Sequence, residues 1–63
     1  MSNEVKIRCV ESTIKHLEKM AEECEKQSSE WYEARMNDLG NFYEGKSKAY
    51  RLAIKFLKMD LED

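Results

Sequence analysis

No proline occurs in the 63 residues and only two glycines do, so almost nothing in the chain interrupts a helix. Apolar and small residues recur from Ile7 onward in alternating steps of three and four: Ile7, Val10, Ile14, Leu17, Ala21, Cys24, Ser28, Trp31. Sustained spacing of this kind lines one face of a long α-helix. Ser2 or Asn3 can cap its start, and Glu4 complements the dipole. Glu11 with Lys15 and Glu22 with Lys26 stand four apart as surface pairs. Gln27-Ser28-Ser29 is the weakest stretch, a place where the helix can kink. The pattern runs through Met36 and Leu39 into Asn37-Asp38-Leu39-Gly40-Asn41. Those residues carry helix-end chemistry, with Gly40 able to take a left-handed cap. The expectation is a first helix over about 4–38, a turn at 39–41 and a second helix over about 42–60, all in one domain spanning 1–63.

Two adjacent seams are legible in the second helix: Phe42, Gly45, Ala49, Leu52, Phe56, Met59, and beside it Tyr43, Ser47, Tyr50, Ile54, Leu57, Leu61. Placed at about 100° per residue they span roughly 220°, where packing on one neighbour needs nearer 100°. The second helix is therefore expected to be covered on two sides. Gly45, Ala49 and Ala53 form a ridge of small side chains suited to close helix approach. With the turn near residue 40, the antiparallel register sets Trp31 beside Ala49, Ser28 beside Leu52, Cys24 beside Phe56 and Ala21 beside Met59. That register leaves Ile7, Val10, Ile14 and Leu17 projecting beyond the second helix, each forgoing roughly 1.5–3 kcal/mol if left in water. The fold class is thus all-α, an antiparallel helical hairpin expected to dimerise into a four-helix bundle. Its expected dimer or partner interface is Ile7, Val10, Ile14, Leu17, Tyr50, Ile54, Leu57 and Leu61.

A chain of this length buries only about 60% of its unfolded surface and usually needs a disulfide, a metal or a partner chain. Cys9 and Cys24 lie fifteen residues apart on one helix, about 22 Å, too far for a bridge. His16 is the single histidine, and neither cysteine stands at ligand spacing from another such residue. No nucleophile-base pair and no glycine-rich phosphate loop is present. No catalytic residue, metal site, cofactor or small-molecule substrate is expected, and the chain is read as non-enzymatic.

Charged residues make up 38% of the chain and the formal net charge is −2, with a mean hydropathy of −0.82. No apolar run approaches the roughly 18 residues of a membrane span, and Met1 to Val5 lack the pattern of a signal peptide. A cytoplasmic protein without membrane partners is expected. Lys48, Arg51, Lys55 and Lys58 form a basic stripe on the second helix, able to meet phosphates or an acidic protein surface. No aromatic residues interleave with these cations and an acidic tail follows them, so nucleic acid is the alternative partner and not the leading one. Trp31, Tyr32 and Tyr43 cluster near the turn, where aromatic side chains can anchor a partner.

Residues 43–57 carry Gly45-Lys46, Ala49-Tyr50, Ala53-Ile54 and Leu57, a G-K-x-x-A-Y-x-x-A-I-x-x-L pattern. This resembles the second helix of small hairpin accessory proteins of bacteriophages and prophages, of the lambdoid early-region type. The resemblance covers about a quarter of the chain. It implies a factor acting in the host-cell cytoplasm by binding a host or phage protein whose identity the pattern does not carry.

Overall fold

The computed structural model of the protein describes residues 3–62, and every one of them outside 34–36 is helical. Helix α1 spans Asn3–Glu33 and helix α2 spans Asn37–Glu62, packed as an antiparallel hairpin about 50 Å long. The expected Ser2 cap lies outside the described residues. Helix α1 runs unbroken through Gln27-Ser28-Ser29.

The reversal comes about five residues earlier than the sequence pattern suggests, at 34–36 in place of 39–41. Arg35 adopts a left-handed backbone with φ of 62°. Its N–H donates to the Tyr32 carbonyl at 3.0 Å, and the Met36 N–H donates to the Trp31 carbonyl at 2.9 Å. These paired 5→2 and 6→1 bonds are a Schellman motif, which satisfies the last carbonyls of α1. The Met36 carbonyl then accepts from the Gly40 N–H at 3.0 Å, opening α2. Asn37 and Asp38 therefore begin a helix instead of ending one, with Asp38 placed to complement the α2 dipole.

Gly40 has a different role from the one its sequence position suggests. It is buried in the first turn of α2, where an added Cβ would lie 2.7 Å from the Tyr32 ring. Ser28 Oγ donates across the hairpin to the Gly40 carbonyl at 2.9 Å. The helices can approach this closely because Ala21, Cys24, Ser28, Gly40 and Ser47 are small and buried. Ser47 Oγ donates to the Glu44 carbonyl at 2.8 Å, so both buried hydroxyls are satisfied.

The earlier turn corrects the register. Ala49, Leu52, Phe56 and Met59, expected opposite Trp31, Ser28, Cys24 and Ala21, are all exposed. The inward seam is the other one: Ser47 and Ile54 are buried, and Tyr43, Tyr50, Leu57 and Leu61 are half-buried. The overhang shortens too, because α2 starts earlier and reaches further along α1. Ile14 is 6% exposed, Val10 and Leu17 are half-buried, and the exposed large side chains at that end are Val5 and Ile7.

Two stability predictions follow from the turn. Replacing Arg35 with Gly relieves the left-handed strain and should stabilise the hairpin by about 1 kcal/mol in urea unfolding. Gly40→Ala should cost about 1 kcal/mol, because the overpacking against Tyr32 exceeds the gain in helix propensity. In a Tyr32→Ala background the same change should reverse sign and stabilise by roughly 0.5–1 kcal/mol. A uniform effect in both backgrounds would contradict the close approach.

Candidate interaction surface

Helix α2 presents a second apolar face to solvent. Phe42, Leu52, Phe56 and Met59 are 58%, 52%, 56% and 51% exposed, and Gly45 and Ala49 between them are also exposed. With steps of three and four, this seam is continuous for about 26 Å along the helix. Gly45, expected to admit a closely facing helix, has nothing within 4 Å of where its Cβ would stand. Contiguous exposed apolar surface of this sort is uncommon on a self-sufficient monomer.

The borders of the seam are cationic. Successive positions at about 100° put Lys48 and Lys55 along one side and Lys46 along the other. The Lys46 ammonium sits 5.5 Å from the Phe42 ring centroid and 5.7 Å from that of Tyr43. The two rings meet edge to face at 5.2 Å, so the turn end of the seam is a small cation–π cluster.

The basic stripe is not four free cations. Arg51 makes a two-pronged contact with Glu25, its Nη2 at 2.9 Å and its Nε at 3.2 Å. The Glu25 hydrogen bond, reinforced by the charges of Glu25, Glu22 and Glu18, holds the guanidinium pKa above its ordinary value. Lys48 lies 3.6 Å from Glu44. The expected Glu11–Lys15 and Glu22–Lys26 pairs do not close; of the pairs that do, Arg51–Glu25 joins the two helices and Lys48–Glu44 stands four apart on α2.

Near the turn, the expected aromatic cluster divides. Trp31 and Tyr43 are half-buried, while Tyr32 is exposed. The Tyr32 hydroxyl contacts the Asn41 side-chain oxygen and donates to Glu44 Oε2 at 2.6 Å. A phenol carries one proton, so both contacts hold together only when the Asn41 amide turns its NH2 toward Tyr32. Ile7 is exposed at the far end of α1, well removed along the hairpin from this group. Cys9 is an exposed free thiol and Cys24 a buried one.

The expected interface residues therefore separate. Ile14 and Ile54 belong to the hairpin core, and Val10, Leu17, Tyr50, Leu57 and Leu61 line its edge. Ile7 stays exposed at the far end, and the continuous exposed seam is Phe42, Leu52, Phe56 and Met59, which sequence reasoning placed inside. Nothing in the spacing distinguishes the two seams. What separates them is the register: α2 begins at Asn37-Asp38, and that start turns the other face inward.

Among the described residues no helix is long and apolar enough to cross a membrane, and no three His, Cys, Asp or Glu side chains gather as a metal site. No protein-family model, curated protein or solved structure matches this chain.

Two carboxylates give the hairpin a pH signature. Glu25 is held below its ordinary pKa by the Arg51 hydrogen bond, and Glu44 by the Tyr32 hydrogen bond and the Lys48 charge. A lowered folded pKa gives stability that is present above the ordinary value of 4.5 and is lost as pH falls through the folded value. Tyr32 runs the other way: the Glu44 bond raises its pKa above 10.0, so its contribution is lost as pH climbs past that value. The melting temperature should fall modestly below pH 4.5 and again above pH 10.0. Tyr32→Phe should flatten the alkaline limb, and Glu25→Gln should reduce the acid one.

Proposed function

We propose that this protein is a non-enzymatic protein–protein interaction module, a helical hairpin that presents the outer seam of α2 to a protein partner. The observation that carries the reading is the continuous exposure of Phe42, Leu52, Phe56 and Met59 on a helix whose opposite face already closes the hairpin. Large apolar and aromatic side chains in a row, rimmed by charge, are what a helix-in-groove or helix-on-helix contact requires. The resemblance along residues 43–57 supports an accessory role of the phage or prophage type, modulating a host or phage process.

The nucleic-acid alternative finds less support. Arg51 and Lys48 are engaged by Glu25 and Glu44, and the α1 glutamates beside the stripe would repel phosphates. The two readings separate on two sets of substitutions. Leu52→Glu with Phe56→Glu should leave the helicity of the folded hairpin intact, since both side chains are exposed. It should also abolish retention of the protein that the immobilised wild-type chain captures from cell extract. Duplex DNA should not be retained even at low salt. Retention of DNA that disappears when Lys48, Arg51, Lys55 and Lys58 are replaced by Glu would overturn the proposal.

A further inference from the structure

We infer that the occupant of the outer seam is a second copy of this chain, with α2 lying antiparallel against the partner's α2 about a two-fold axis between Tyr50 and Arg51. The inference rests on the seam being an interaction surface and names what covers it.

The first support is area. The chain exposes 5199 Å², whereas a compact monomer of its mass would expose about 4200 Å². The difference, about 1000 Å², is close to the roughly 800 Å² that each partner contributes to a stable interface. That excess is spread over the elongated 50 × 15 × 12 Å hairpin, of which the outer seam of α2 is one exposed face.

The second support is that the seam is self-complementary. Positions 42, 45, 49, 52, 56 and 59 are spaced three, four, three, four and three, which reads identically from either end. Laid antiparallel on itself, the seam sets Phe42 against the partner's Met59, Gly45 against the partner's Phe56, and Ala49 against the partner's Leu52. A small residue meets a large one in two of the three layers, as interdigitation requires. The third pairs a thioether with an aromatic ring. Gly45 weakens α2, and nothing within the hairpin asks for it. A facing phenyl ring supplies the missing reason.

The rim gives this geometry its own signature. Across the two-fold axis Lys48 faces the partner's Lys55, and the pair occurs twice. Like charges at that distance oppose association and are screened by salt. The dimer should therefore tighten as salt rises, the reverse of binding to nucleic acid. Lys55→Glu turns both repulsive pairs into attractive ones, and a parallel arrangement of the helices would not respond in this way.

The test is sedimentation equilibrium of the full chain up to about 100 μM, where a micromolar Kd is saturated. Wild type should give twice the chain mass of 7.5 kDa, and Leu52→Glu with Phe56→Glu should give the single mass with its helicity retained. Gly45→Ala should raise the helicity of the dilute chain yet weaken dimerisation about tenfold, because its methyl group meets the partner's ring. Lys55→Glu should tighten dimerisation severalfold at low salt. A wild-type chain that stays monomeric overturns the self-pairing. The interaction reading itself then stands or falls on whether Leu52→Glu with Phe56→Glu abolishes capture of another protein. A dimer that survives that double substitution, or that ignores Lys55→Glu, overturns the antiparallel geometry. Co-sedimentation of a monomeric wild type with phosphatidylserine vesicles, lost in the double variant, would assign the seam to a lipid surface and overturn the inference.

Discussion

The left-handed backbone of Arg35 determines most of what this molecule can present to others. Once the chain reverses at 34–36, held by the Schellman bonds to Trp31 and Tyr32, α2 must begin at Asn37. The first turn of α2 is thereby pressed against the last turns of α1. Ser28 reaches the Gly40 carbonyl only in that register. Because side chains at fixed positions of a helix point in fixed directions, one hydrogen bond near the turn settles the orientation of α2 along its whole length. Ile54 is turned inward and Phe56 outward, twenty residues away from the reversal.

The close approach near the turn shapes the core that follows. Buried positions are held by Ala21, Cys24, Ser28, Gly40 and Ser47, with Ile14 and Ile54 toward the open end. Such a core is thin. Small side chains bring backbones together, but they remove little apolar surface from water per residue, so the hairpin alone should be marginal, as small domains are. If the outer seam is covered by another chain, association and folding become linked, and apparent stability rises with protein concentration.

Much of this was readable in the residues before any coordinates. The absence of proline and the three-four spacing pointed to the class of fold, and the width of the apolar face of the second helix to more apolar surface than the hairpin itself covers. The turn was not legible, for a specific reason. Asn and Asp favour both the ends and the beginnings of helices, and Asn37-Asp38 standing before Gly40 reads equally well either way. The true cap is Arg35, a residue type that rarely adopts positive φ, while Gly40 is glycine because the Tyr32 ring crowds it. That misplacement of about five residues then exchanged the two seams of α2, since a register shift rotates every side chain with it. The basic stripe was visible as a stripe, but its pairing was not. That Arg51 would find Glu25 depends on the register as well.

The two faces of α2 also differ in how they can specify a partner. The inner face carries directional groups, the Ser28–Gly40 bond and the Arg51–Glu25 pair, which are satisfied in one register only. The outer seam is built from Phe42, Leu52, Phe56 and Met59, and apolar contact is non-directional. Selectivity there must come from shape and from the rim. Gly45 and Ala49 supply notches that only a correctly spaced row of large side chains can fill, and a second copy offers such a row. Lys46, Lys48 and Lys55 supply charge, which a second copy meets with more of the same sign. On the proposed pairing, shape would favour the second copy and charge would limit its strength. A seam governed by those opposed terms would hold its own copy reversibly, so that the dimer shields the apolar face without locking it away.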